Sequence, residues 1–315
     1  MKERVDKIKS ELDQLVSLYD NLHADYEKLV RNSEEFVQRI SFLESEISRL
    51  QSLITAMSGV TPERKKLTVD KTITVSSNRE ISGVELVYGG ADPMIRVLDG
   101  GRLVLRDVIV TGSIKNFLIA DAMNYSIELD GVTVSDTEKY GVYCGCRKMF
   151  GSISGKVVLK NCSFGSSTWE TPIRFMPGVA VDLYKTTAIS TKNTTKSMPG
   201  ARFHCETVIA DSCHFGNWTR IHPSSDGKNN PDERLKLAVF RNCVFDGGVR
   251  LAPGILGIFF EGCTFDATKN SLGWALSKKV EGVVPDVKTD FVAKSCVFIG
   301  KVDRSLGKFL DCEFR

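Results

Sequence analysis

Six times the chain writes Cys-x-Phe directly behind a turn-forming residue: Asn161-Cys162-Ser163-Phe164, Ser212-Cys213-His214-Phe215, Asn242-Cys243-Val244-Phe245, Gly262-Cys263-Thr264-Phe265, Ser295-Cys296-Val297-Phe298 and Asp311-Cys312-Glu313-Phe314. Three earlier segments carry the same pattern with aliphatic residues: Gly83-Val84-Glu85-Leu86, Asp107-Val108-Ile109-Val110 and Gly131-Val132-Thr133-Val134. In each copy two apolar residues flank a variable one, which is the alternation of a strand with one buried face. The residue ahead of each strand is Gly, Asp, Asn or Ser, the types that tolerate a left-handed or turn conformation. Aligned on the Cys/Val position, the copies lie 24, 24, 30, 51, 30, 20, 33 and 16 residues apart. Such a period implies a solenoid. Parallel stacking at about 4.8 Å would give one internal column of Val and Cys beside another of Leu, Val and Phe. The 51-residue step has room for a further rung through residues 179–183, or for a long loop.

A second apolar stretch precedes most copies, at residues 94–98, 117–120, 237–240 and 255–260. Several strands per coil with short turns between them resembles the right-handed parallel β-helix of the pectate-lyase and phage-tailspike type. The resemblance covers residues 67–315 and rests on the rung pattern, which speaks to fold more than to activity.

Ahead of this body, residues 4–58 contain neither Gly nor Pro, and their apolar residues follow a heptad. The a positions run Val5, Leu12, Tyr19, Tyr26, Ser33, Ile40, Ile47, Ile54, and the d positions Ile8, Leu15, Leu22, Leu29, Phe36, Leu43, Leu50, Met57. Eight heptads with Ser33 as the single polar member predict a coiled coil about 80 Å long. Ile at a with Leu at d favours two strands, whereas Val16, Val30 and Val37 at e and the bulky Tyr19 and Tyr26 at a favour a wider core. Spikes resembling this chain are trimers, so three parallel copies are expected. The expected class is therefore mainly β, a right-handed parallel β-helix over 67–315. It follows an α-helical coiled-coil oligomerisation stalk at 1–58 and a Gly/Pro-containing linker at 59–66.

The net charge of +3 and the absence of a Lys/Arg run interleaved with aromatics argue against nucleic acid as a partner. No apolar stretch approaches the ~20 residues of a membrane span, and Met-Lys-Glu-Arg-Val does not open a signal peptide. Six of the nine cysteines lie in the internal column, where a free thiol serves as a small apolar group. That fits folding in a reducing cytoplasm. Cys144-Gly145-Cys146 stands apart, but no further Cys or His at ligand spacing joins it, so neither a metal nor another cofactor is expected.

Glycoside hydrolases on this fold use clustered carboxylates. The family motifs Asp-Asp and Gly-His-Gly are absent, and Asn-x-Asp occurs only as Asn230-Pro231-Asp232, inside a polar insert. The lyases' calcium-binding Asp cluster is absent too. If the chain were a hydrolase or lyase, its candidate carboxylates would be Glu170, Asp182, Asp211 and Asp226. Arg174 and Arg220-Ile221-His222 fit a solvated strand face. Trp169, Trp218 and Trp274 could stack sugar rings or cover rung edges. Polar inserts at 185–200, 222–234 and 277–286 add Lys192 and Lys196 as candidates for contact with a polar or glycan surface.

These features point away from an enzyme and toward a structural or attachment component of a virion, folded in the host cytoplasm. A bacteriophage tail spike, fibre or similar appendage would pair with itself, with other virion proteins, and with a surface glycan or receptor. Two alternatives stay open: a polysaccharide depolymerase, and a cytoplasmic scaffold whose stalk binds partner helices.

Overall fold

The computed structural model describes residues 64–145, 154–165, 170–190, 199–222, 235–252, 255–268, 272–278 and 290–315. The heptad segment lies outside these, as do Cys146, Trp169, Lys192, Lys196, Asp226 and Asn230-Pro231-Asp232. The described part of the body is a parallel β-solenoid. Nineteen strands form one sheet and ten a second, and every pairing is parallel. Among the described residues the helical element is a single 3-10 turn, Arg304–Leu306, and no helix is long and apolar enough to cross a membrane.

Each coil crosses the larger sheet twice, on either side of a sharp corner, and the ten-stranded sheet once. The corner is where the repeated motif sits. All nine residues that precede the motif strand have positive φ, from +51° at Asp311 to +65° at Gly131. Left-handed backbone costs a β-carbon-bearing residue about 1–2 kcal/mol unless it is a short polar type, which is why Asn, Asp, Ser and Gly stand there. Gly262 has a second reason: a β-carbon would lie 2.7 Å from Asn242 Oδ1 of the preceding coil.

The 51-residue step holds a complete extra coil. Its strands are Val179–Tyr184 and Thr187–Ile189, and its corner residue is Lys185, at φ +45°. Thr186 occupies the cysteine position and Ala188 the phenylalanine position, in register with Phe164 below and Phe215 above.

The two internal columns form as the alternation requires. Phe215, Phe245, Phe265, Phe298 and Phe314 are in register on successive coils. Their rings stack with centroids 5.3, 5.0, 4.5 and 5.3 Å apart and planes within 27° of parallel. Phe240 and Phe260 meet this stack edge-on, so the core combines both favourable aromatic geometries.

The cysteines do more than fill space. Cys162 Sγ donates to Lys160 O at 3.1 Å and to Leu129 O of the coil below at 3.4 Å. Cys243, Cys263 and Cys312 repeat this pair of contacts. Thr186 makes it through its hydroxyl, at 3.2 Å to both Leu159 O and Tyr184 O. The position selects a small side chain with one donor, which caps corner carbonyls inside the core. All eight described cysteines are free. Burial pushes the Cys162 thiol up to about 12, and Cys144 and Cys205 higher still.

Candidate functional site

The outer face of the ten-stranded sheet carries a pattern that only the coil register reveals. Four strands read apolar-Arg-apolar or Thr-Arg-apolar: Ile173–Phe175, Ala201–Phe203, Thr219–Ile221 and Val249–Leu251. Their outer residues point inward and are buried, which turns each central arginine outward. The register pairs Arg174 with Arg202, Arg202 with Arg220, and Arg220 with Arg250. The result is a ladder of four guanidinium groups, one per coil, about 14 Å long at the usual strand spacing. Below Arg174 the same column continues through Tyr143, Ile119 and Arg96.

The ladder faces outward yet is largely covered. The side chains of Arg174 and Arg202 are each 14% exposed. Arg174 Nη1 donates to Tyr140 Oη at 3.2 Å, and its guanidinium carbon lies 6.0 Å from the Tyr143 ring. Glu170 Oε2 sits 4.0 Å from Arg174 Nη1 and 3.7 Å from Arg202 Nη1. Arg220 Nη2 donates to His222 Nε2 at 2.9 Å, and the buried His222 ring lies 5.5 Å from that of His204. Arg250 stacks over Trp218 at 4.3 Å, a cation–π contact of about 0.5–2 kcal/mol. Burial, with Arg174 and Arg220 on either side, lowers Arg202 to about 10, against the opposing pull of Glu170. Burial also lowers Arg250.

A cleft of about 260 Å³ adjoins the ladder at Glu170 and Tyr143, and its polar lining includes Arg96, Asp121 and Lys139. Glu170 and Asp121 therefore share one cavity.

The carboxylates named from sequence scatter. Glu170 joins the ladder, whereas Asp182 and Asp211 belong to the larger sheet. Asp182 is exposed on its strand. Asp211 accepts from Ser212 Oγ at 2.8 Å and is approached by Asn242 Nδ2 at 3.5 Å, so it braces successive corners. Among the tryptophans, Trp218 is buried under Arg250, and Trp274 is 37% exposed. Arg174 and Arg220 stand on a strand face as expected, but Arg174 is covered rather than solvated. Sequence reasoning did not identify Arg202, Arg250, Arg96, Asp121 or Tyr140. The legible signal was the recurring triplet at steps of 28, 18 and 30 residues from Arg174 to Arg250.

Among the described residues, no group of three His, Cys, Asp or Glu is placed to hold a metal ion. Comparison with protein-family models, with curated proteins and with solved structures returns no match to this chain.

Proposed function

We propose that this chain is a ligand-presenting structural component of a virion appendage, a bacteriophage tail spike or fibre, assembled as a parallel homotrimer. The observation that carries this reading is the arginine and aromatic column on the ten-stranded face, held on a repetitive, hydrogen-bonded scaffold. A stiff solenoid with a shaped outer face suits attachment, because its strands fix side chains that a loop would leave mobile. The right-handed winding of the pectate-lyase and tailspike type follows from the strong preference of parallel crossovers for that hand. The heptads supply parallel alignment of the copies.

Two measurements test the proposal. Sedimentation or light scattering of the whole chain should give three times the 34.9 kDa protomer mass, and a monomer would remove the basis for parallel assembly. Mass spectrometry and antibody labelling of purified particles should place the chain on an appendage; its absence from every particle fraction would sink the virion reading.

The shared cleft of Glu170 and Asp121 favours one second reading, a polysaccharide depolymerase. Under it, Glu170→Gln or Asp121→Asn would abolish cleavage of a bound glycan while leaving binding intact. Cleavage that persists in both variants would count against this pair.

A further inference from the structure

We propose that the outer face of the larger sheet, from the strand Val179–Tyr184 to the strand Lys308–Leu310, docks a second copy of this chain face to face, with the two solenoid axes antiparallel. The inference goes beyond the attachment reading and does not depend on it.

The register sets two outward columns side by side on this face. The first runs Asp182, Ile209, Val239, Phe259, Val292 and Lys308 on successive coils. The second, two residues further along each strand, runs Tyr184, Asp211, Arg241, Glu261, Lys294 and Leu310. The residues between them, such as Leu183, Ala210 and Phe260, are buried, so both columns point away from the core. A sheet face that meets only water carries polar residues at such positions. Here four consecutive coils place apolar side chains in the first column instead, and Ile209 is 41% exposed. A β-carbon at Gly257 would meet the Phe259 ring at 3.2 Å and Leu237 at 3.6 Å, so those two side chains lie across the glycine and widen the apolar strip.

The order of residues within the columns identifies the occupant. A two-fold axis lying between the faces and along the strands lays each column on its own copy with the coils in reverse order. Placed midway between Val239 and Phe259, that axis sets Asp182 against Lys308 of the second copy, Asp211 against Lys294, and Arg241 against Glu261. It also sets Ile209 against Val292, Val239 against Phe259, and Tyr184 against Leu310. Every charge faces its opposite and every apolar residue faces another, in both columns, about one axis. With the axis along the solenoid instead, the copies are parallel and the charged column meets the outer edge of the strip. Arg241 then faces Leu237 and Glu261 faces Gly257, which takes the charges out of water without a partner.

Alternating sign in the second column has a reason within one chain as well. Arg241 and Lys294 lie 3.7 and 3.4 Å from Glu261, and opposite charges on neighbouring strands attract. No such reason links Asp182 to Lys308. Five coil steps put them about 24 Å apart, well beyond the ~8–10 Å screening length in ordinary salt. They bracket the apolar strip at its two ends, and their match exists only across the two-fold. The patch measures about 24 by 13 Å, less than half of the roughly 800 Å² each partner gives to a standard interface, so the contact is a weak one that forms at high concentration.

Sedimentation equilibrium of the full chain, from about 1 μM to about 1 mM, tests this. The mass should double from that of the species the dilute protein forms. Asp182→Lys sets lysine opposite Lys308 and, because symmetry repeats the pair, should weaken the association about tenfold. Adding Lys308→Asp should restore it, since the pair is then reversed rather than broken. Phe259→Asp, at the centre of the strip, should abolish the doubling. Thermal melts identify any variant that fails to fold; if Phe259→Asp does, the swap of the exposed Asp182 and Lys308 carries the test.

A mass that stays at the dilute value throughout would overturn the proposal and leave this face to a protein of another sequence. Doubling that survives both Asp182→Lys and Phe259→Asp would assign the contact to a different surface. Doubling lost in Asp182→Lys and not regained in the paired swap would overturn the antiparallel alignment. Particle localisation decides the attachment reading separately.

Discussion

The first coils of the solenoid and the last turn the same corner with different materials. In the strands Gly101–Thr111 and Asn124–Val134 the chain runs unbroken through the bend, with Val108 and Val132 inside. Later the strands separate, as in Leu237–Arg241 and Val244–Asp246, and Cys243 stands between them. Yet φ is +52° at both Asp107 and Asn242. The left-handed residue therefore sets the bend, and the side chain that follows decides what fills and caps it. The aliphatic coils fill the corner with branched carbon, whereas the later coils cap it with a thiol and pack a ring beside it.

The comparison is broken or sharpened first at the ring column. Phe265→Ala removes a ring stacked on both sides and should cost about 3–5 kcal/mol. Val110→Ala, at the equivalent position of an aliphatic coil, should cost about 1–3 kcal/mol. Urea unfolding of the two variants measures this, and equal losses would mean that the stack adds nothing beyond its area.

A smaller effect is expected at the thiol position. Cys243→Val keeps the volume but loses the donor to Arg241 O and Ala210 O, at a cost of about 1 kcal/mol. Cys243→Thr should stay within about 0.5 kcal/mol of the parent, because Thr186 already makes this contact in the same column. If valine proves as good as threonine in thermal melts, the capping role is wrong.

Thiol labelling reads the same column kinetically. Of the described cysteines Cys312 is the least buried and should react first, with the others reacting only as the protein unfolds. Uniform fast labelling would contradict a closed column.

The smallest expected effect lies in the early coils, at Asp92. Burial raises its carboxyl, but hydrogen bonds from Asn116 and Lys115 outweigh that and hold it below the ordinary carboxylate value. Its folded value is depressed, so its contribution is full above the ordinary carboxylate pKa and fades as pH falls through the folded value. Acid titration of stability should show a slightly shallower loss in Asp92→Asn than in the parent. Identical profiles would remove Asp92 from the acid response.

Much of the fold was legible because a strand reports its buried face every second residue, and a left-handed corner admits few side chains. The extra coil was harder to read at its corner. Lys185 is not a turn-forming type, and Thr186 with Ala188 replaces the Cys and Phe that mark the other later copies. The ladder was harder still. Arg174 and Arg220 stood out singly, but unequal inserts between the coils hide the fact that Arg202 lies between them and Arg250 follows. Glu170 and Asp121 are 49 residues apart in sequence and share a cleft only through the winding.

The sequence by itself determined the repeated corner, the inward columns and the parallel stacking, since each is a local demand of backbone conformation and burial. The tertiary structure decided which outward residues become neighbours. That depends on the summed length of every coil, and no single repeat encodes it. It also showed why cysteine recurs: a thiol is small enough for the column and still donates to the carbonyls that the corner leaves behind.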